Sequence, residues 1–192
     1  MTSDRIKEAA LQLFTRSGYD GVPLSEIAGA VGIKTPSIYA HYKSKDELFM
    51  AVLEDCLGEH NRRMEQLIGS LEGRSVADKL RTILEDARHS YLLGDEQVTF
   101  LKRAMLFPPS SLEDRLRDQF SGYEQALHAA LGAMFEEGIQ AGQLSPQPID
   151  ELIASFYCVM DGLFLQQFYY RQDDSKARMQ AVWSIFWKGI CK

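Results

Sequence analysis

The sequence predicts an all-α protein in two parts: a small N-terminal three-helix domain carrying a helix-turn-helix, and a larger C-terminal helical domain. Three observations predict it. Apolar residues recur at helical spacing along almost the whole chain of 192 residues. No segment alternates apolar and polar residues between turn signals as a strand does. Helix-start and helix-stop residues recur at intervals that fit about nine helices, two of them short and adjacent near the N-terminus.

The elements follow in order. MTSDRIKEAALQLF alternates charge with apolar residues as an amphipathic helix does. A second helix runs from Leu24 to Val31, with Ile27, Ala28 and Val31 as its apolar stripe, and Gly32 ends it because a left-handed residue costs glycine no steric penalty. The third opens at Thr35-Pro36, read as an N-cap followed by proline at the first helical position. It holds about two turns, through Ile38, Tyr39 and His41. A helix that short is marginal alone, so Ile38 is the expected buried anchor. Ser44-Lys45-Asp46-Glu47 is a capping box opening a long helix to Leu71, with Leu48, Val52, Met64, Leu67 and Ile68 among its apolar positions. Gly73-Arg74 breaks it, and Ser75 with Asp78 starts another helix to Leu93. The next begins at Gly94-Asp95 and stops at Phe107-Pro108-Pro109, because two prolines cannot continue it. Ser111 to Ala141 form one helix or a kinked pair, closed by Gly142. Pro146 and Pro148 precede a very apolar helix from Ile149 to Tyr170, and Ser175 to Ile190 is the last.

Two short helices across a tight turn form the helix-turn-helix arrangement, whose second helix fits the DNA major groove. The residue types suit that task. Lys34, Thr35, Ser37 and Tyr39 place donors near its N-terminal end, and His41, Tyr42, Lys43 and Lys45 extend the polar surface past its C-terminal end. The same residues also fit an ordinary surface helix with two aromatics in a small core.

Residues 5–52 resemble the DNA-binding domain of the TetR family of bacterial transcriptional regulators. The likeness lies in AALQLFTRSGYDGV, in LSEIAGAVGI and above all in TPSIYAHYKSKDELF, where a Tyr-x-His-Tyr-Lys-x-Lys core precedes an acidic-Leu-hydrophobic run. The resemblance implies a DNA-binding domain over residues 1–47 and a ligand-binding and dimerisation domain over 48–192. It implies phosphate contacts from Tyr39, His41 and Lys45, a packing role for Tyr42, and Lys34, Thr35, Pro36, Ser37 and Ala40 at positions that meet base edges. Lys34 reaches for a guanine O6 or N7, and Ala40 offers at most a contact with a thymine methyl. Pro23 departs from the family pattern, which usually has a threonine or serine there. The first helix of the motif is therefore expected to lack a side-chain cap, which puts a phosphate contact there in doubt.

Charge adds a constraint. The chain carries a net charge of −6, but residues 1–50 hold six basic and six acidic residues, so the whole deficit lies beyond them. DNA affinity then rests on a few placed cations, with marked salt dependence, and binding as a dimer gains importance. Cys56, Cys158 and Cys191 are odd in number and widely spaced, which suits free thiols in a reducing cytoplasm. There is no signal-peptide core and no apolar run long enough for a membrane span, so no membrane partner is expected. No nucleophile–base grouping, glycine-rich phosphate loop or cofactor motif appears, and His60, His89 and His128 lack ligand spacing. Neither enzymatic activity, a cofactor nor a metal site is expected.

Beyond the head, LIASFYCVMDGLFLQQFYY is apolar nearly all round, and Val182, Trp183, Ile185, Phe186 and Trp187 give the final helix a strong apolar face. Such helices need burial on more than one side. In the TetR family the corresponding two helices pair with their copies in a second subunit, which implies a homodimer, recognition helices roughly 34–36 Å apart and an inverted-repeat operator. A wholly intramolecular core is the alternative.

The resemblance also implies a pocket for a small-molecule effector in the middle helices. Candidates to line it are Met64, Tyr91, Phe100, Met105, Phe107, Tyr123, Phe135, Tyr157, Met160, Asp161, Phe164 and Gln167, although each equally fits ordinary core. Asp161 stands out as a carboxylate in an apolar stretch, which needs a partner if buried. The helix layout and EEGIQAGQLS loosely resemble multidrug-efflux regulators within the family. The implied protein is a repressor released from DNA by a small apolar ligand. An activator, or a helical adaptor that no longer binds DNA, are the competing readings.

Overall fold

The computed structural model describes residues 2–92, 95–123, 125–166, 170 and 172–192, without the side chains at 90–92, 123, 172 and 173. These residues form ten helices: α1 (Thr2–Ser17), α2 (Leu24–Val31), α3 (Thr35–Tyr39), α4 (Lys45–Ser70), α5 (Val76–Leu92), α6 (Glu96–Leu106), α7 (Glu113–Tyr123), α8 (Gln125–Gln140), α9 (Ile149–Gln166) and α10 (Gln172–Ile190). Among the described residues the extended pairing is confined to an isolated antiparallel bridge between Leu144 and Cys191.

Local chemistry sets the helix ends. Gly32 takes φ 76° after α2, and the Ile33 amide returns to the Ala28 carbonyl at 3.0 Å, closing the last turn. The Ser44 hydroxyl accepts from the Glu47 amide at 3.1 Å. The reciprocal bond of the capping box runs from the Lys43 amide to the Glu47 carboxylate at 2.6 Å, one residue earlier than in the usual form. Ser75 caps α5 by accepting from the Asp78 amide. Asp95 caps α6 by accepting from the Gln97 and Val98 amides.

Two expectations about helix starts are corrected. The N-cap of α3 is Lys34 rather than Thr35, in extended geometry and with no side-chain bond; Pro36 stands in the first turn, where its missing amide hydrogen costs nothing. Within the helix or kinked pair expected over 111–141, the described residues are helical over α7 and α8, residue 124 lying outside them. The last helix begins at Gln172, and Ser175 is buried within it instead of starting it.

The chain divides into two compact units, one of residues 1–62 and 95–123, the other of 63–94 and 124–192. Compactness therefore does not follow a boundary after residue 47. The reason lies in the head's core, where Ile6, Ala10 and Phe14 of α1, Ile27 and Val31 of α2, and Ile38 of α3 meet Phe49 and Leu53 of α4. Phe100, Leu101 and Ala104 of α6 and Leu116 and Phe120 of α7 complete it. Three short helices bury too little apolar surface for much stability by themselves, and α6 and α7 enlarge the core. The second unit has its own core around Leu80, Ile83, Leu131, Phe135, Ile153, Phe156 and Met179.

Candidate nucleic-acid interface

α3 has five residues, and its core contact is Ile38, which is fully buried. Burying that side chain is worth about 1.5–3 kcal/mol, enough to hold a turn and a half that would not persist alone. Its neighbours point elsewhere. Lys34, Pro36, Ser37, Ala40 and His41 are exposed, Tyr39 is 55 % exposed, and Thr35 is half-buried. Seven of the residues expected to face DNA thus sit on one short segment with its outer side open to solvent, Thr35 being the least accessible.

The segment is fixed at both ends. Tyr42 is buried, and its hydroxyl lies 2.8 Å from that of Ser3, which agrees with a packing role. Upstream, the Arg5 guanidinium donates to the Val31 carbonyl at 2.9 Å, filling an acceptor left open at the end of α2. Pro23 precedes α2 with no side-chain cap bond, as its missing hydroxyl requires.

Lys45, the eighth candidate, opens α4 and is half-buried. Its ammonium lies 4.2 Å from the centre of the Tyr19 ring, within range of a cation–π interaction. Burial lowers its pKa from the ordinary lysine value, opposed by the nearby carboxylates of Asp20 and Asp46. The Tyr19 hydroxyl donates to the Asp46 carboxylate, and the ring packs edge-on to Phe49 at 5.4 Å. Tyr19 escaped the sequence reading because nothing in SGYDGV announces that it lies beneath a lysine 26 positions later. The other cations of the head are partly committed: Lys7 pairs with Asp55 and Arg5 serves α2. Lys34 and Lys43 are exposed, with no ion pair among the described residues.

The described candidate effector residues divide between the two units. Phe100 belongs to the head's core, 5.1 Å from Phe49 between ring centres. Together with Phe107 it lines a cavity of about 180 Å³ in the head, beside Gly18, Tyr19 and Arg103. Met105 and Phe107 are exposed, Phe107 by 75 %. Met64, Phe135 and Phe164 are buried and Tyr157 and Met160 half-buried in the second unit. Asp161 is exposed, so no burial penalty forces a partner on it. Gln167 lies outside the described residues, as do the side chains of Tyr91 and Tyr123. No group of three or more His, Cys, Asp or Glu among the described residues is placed to hold a metal ion, and no described helix is long and apolar enough to cross a membrane.

Residues 6–52 match the family model of bacterial regulatory proteins, tetR family. Those residues are a DNA-binding domain of that family. Over 53 residues it is 42% identical to the negative transcriptional regulator IcaR of the biofilm operon icaADBC of Staphylococcus epidermidis, which covers 28% of this chain and 29% of IcaR. Over 141 residues it is 23% identical to the fatty acid metabolism regulator protein of Bacillus subtilis, covering 73% of this chain and 69% of that protein. Among solved structures, FadR from Bacillus subtilis in complex with stearoyl-CoA superposes with a TM-score of 0.73 at 22% identity, over 97% of this chain and 98% of that one. A regulator from Saccharomonospora viridis in complex with choline gives 0.81 at 20% identity, over 99% and 97%. At these identities the two structures share the fold. The N-terminal domain is accordingly of the kind that binds DNA in bacterial regulators of transcription, and the relatives named are such regulators.

Proposed function

We propose that the protein is a homodimeric repressor that binds an inverted-repeat operator through α3 and leaves it when a small apolar ligand occupies the second unit. The observation that carries the reading is the geometry of α3: one anchoring side chain buried, and Lys34, Pro36, Ser37, Tyr39, Ala40 and His41 open to solvent. In this reading Tyr39, His41 and Lys45 bind phosphates and set the register, while Lys34, Thr35, Pro36, Ser37 and Ala40 meet base edges. Repression is favoured over activation by the likeness of the head to IcaR, a negative regulator.

Dimerisation runs through α9 and α10. Leu165 and Ile185 are exposed apolar side chains on these helices, and Val182, Trp183, Phe186 and Trp187 are only half-buried. α4 contributes residues to both compact units, which makes it the candidate lever. A ligand preferring a dimer with its heads wrongly spaced weakens DNA binding by the same coupling factor, typically about 1–3 kcal/mol. The long likeness to a fatty acid metabolism regulator favours an acyl-chain compound over a multidrug effector.

The test is retention of sheared genomic DNA from the source organism by the purified protein, followed by sequencing. Enrichment of inverted repeats supports the proposal. Absence of enrichment at low salt, both before and after unfolding and refolding to strip ligand, overturns it.

A further inference from the structure

The buried face of α5 carries one residue that does not belong in a core. Val76, Leu80, Ile83 and Leu84 are buried at helical spacing, and Arg88, four residues after Leu84, continues the stripe. It is 8 % exposed. A guanidinium cannot shed its charge, and a buried charge is costly unless it is paired and hydrogen-bonded.

Among the described residues nothing supplies that pairing. The carboxylates around it in sequence are engaged elsewhere: Glu85 with Arg81 at 3.1 Å and Asp86 with Arg63 at 3.0 Å. Its own contact is to the ring of His89, Nη2 to Nε2 at 3.2 Å. Since Arg has only donors, the imidazole nitrogen must accept, so the contact is with a neutral ring and no charge is balanced. The Nε–H of Arg88 is buried with no acceptor, and Arg88 forms no ion pair among the described residues. A second buried polar atom without a partner, the Gln166 side-chain carbonyl, lies on α9, a helix that packs against α5. Buried donors and acceptors in native proteins are nearly always satisfied, and each exception calls for an explanation, a bound ion being one of them.

We propose that Arg88 is the anchor for an anionic group on the effector, a carboxylate or phosphate carried by an apolar chain. This deepens the reading of the second unit as the effector-binding body and rests on it. The fold alone does not decide the sign of the ligand's charge, since one neighbour of similar fold holds stearoyl-CoA and another holds choline. The buried guanidinium does decide it: a cation beside Arg88 is repelled, whereas an oxyanion accepts from Nε–H and a terminal N–H together, the fork geometry in which arginine binds most strongly.

The experiment titrates full-length wild type, Arg88→Gln, Arg88→Lys and Arg88→Met with dodecanoate, dodecanoyl-CoA, dodecanol and dodecyltrimethylammonium by calorimetry. Release from an operator fragment is followed in parallel by fluorescence anisotropy. Wild type should prefer the anionic probes. Arg88→Gln should weaken them about 10- to 100-fold while leaving dodecanol unchanged, and Arg88→Lys should fall between. Loss confined to dodecanoate identifies a carboxylate as the partner, and loss confined to dodecanoyl-CoA a phosphate. Melting of the ligand-free variants separates a site from a fold contact: Arg88→Met should melt no lower than wild type, because it removes an uncompensated charge. Equal affinity of wild type and Arg88→Gln for the anions overturns the proposal, as does preference for the cation or failure of both anions to bind wild type. If dodecanol still releases the operator in those cases, the ligand-responsive repressor stands without the anion anchor. If no probe releases the operator, both fail.

Discussion

The Lys45 ammonium sits over the Tyr19 ring, 4.2 Å from its centre, while the hydroxyl of the same tyrosine holds Asp46, the next residue of α4. One side chain from the loop after α1 thus positions the first turn of α4. If Lys45 meets a phosphate, Tyr19 fixes where that charge is presented. In a dimer, Lys45→Gln should lower the slope of log affinity against log salt by about 1.8, two phosphate contacts at about 0.9 each. Tyr19→Leu should move the slope the same way by a smaller amount, and Tyr19→Phe, which keeps the ring, should leave it near wild type. A Tyr19→Leu variant that weakens binding equally at all salt concentrations would mean that the tyrosine only supports the fold.

Two groups in the head tie its stability to alkaline pH. Burial, aided by the hydrogen bond to Asp46, pushes the Tyr19 phenol up to about 12 from 10.0, and burial pushes the Cys56 thiol up to about 12 from 9.0. In both, the fold prefers the protonated form. Their contribution is therefore complete below the unfolded values and is lost as pH rises through the folded ones. Urea midpoints should be flat from pH 7 to 8.5 and then decline towards pH 12. Tyr19→Phe should remove the part of the decline that begins above pH 10, and Cys56→Ala the part that begins near 9. Cys56 should also resist thiol reagents until the protein unfolds, because the thiolate is the reactive form.

Much of the head was legible because its signals are local. Gly32, the Ser44–Glu47 box, Asp95 and the Phe107-Pro108-Pro109 stop each fix a helix end through bonds spanning a few residues, and Ile38 is the apolar residue in a polar turn. Long-range relationships left no such mark. That Phe100 would join Phe49 in the head's core, instead of lining an effector pocket, depends on where the chain returns after α5. Hydrophobicity alone does not tell a cavity wall from an exposed apolar residue, so Met105 passed as a pocket candidate although it is exposed. Arg88 had a readable signal, its i, i+4 spacing from Leu84, but a single charge in a helical stripe ordinarily marks the edge of the buried face.

Gly18 and Arg103 form a second latch in the head. Gly18 ends α1 at φ 75°, and a Cβ there would lie 2.9 Å from Arg103 Nη2. That guanidinium donates through Nη1 to the Thr15 and Arg16 carbonyls at 3.2 and 3.4 Å, closing the C-terminus of α1 from α6. Gly32 is a natural control, since it has a similar φ of 76° and open space around the missing Cβ. Gly32→Ala should cost about 1–2 kcal/mol, from backbone strain alone. Gly18→Ala should cost more, and the excess should shrink in an Arg103→Ala background, giving a coupling of about 0.5–1 kcal/mol in a double-mutant cycle. Additive effects would show that Arg103 swings aside freely and does not latch α1.

Ile185 offers the sharpest test of assembly. It is 72 % exposed on α10, one turn on from the half-buried Val182. Because the side chain is solvent-exposed within one subunit, Ile185→Glu should leave the fold intact. In a dimer joined through α9 and α10 it places two unpaired carboxylates in an apolar seam, at a cost of about 2–5 kcal/mol. Light scattering after size exclusion should then report the mass of one chain where wild type reports two, with unchanged helical circular dichroism. Operator affinity should fall steeply, since a monomer presents one recognition helix to a two-fold site. A variant that stays dimeric and binds DNA as wild type does would move the interface away from this face of α10.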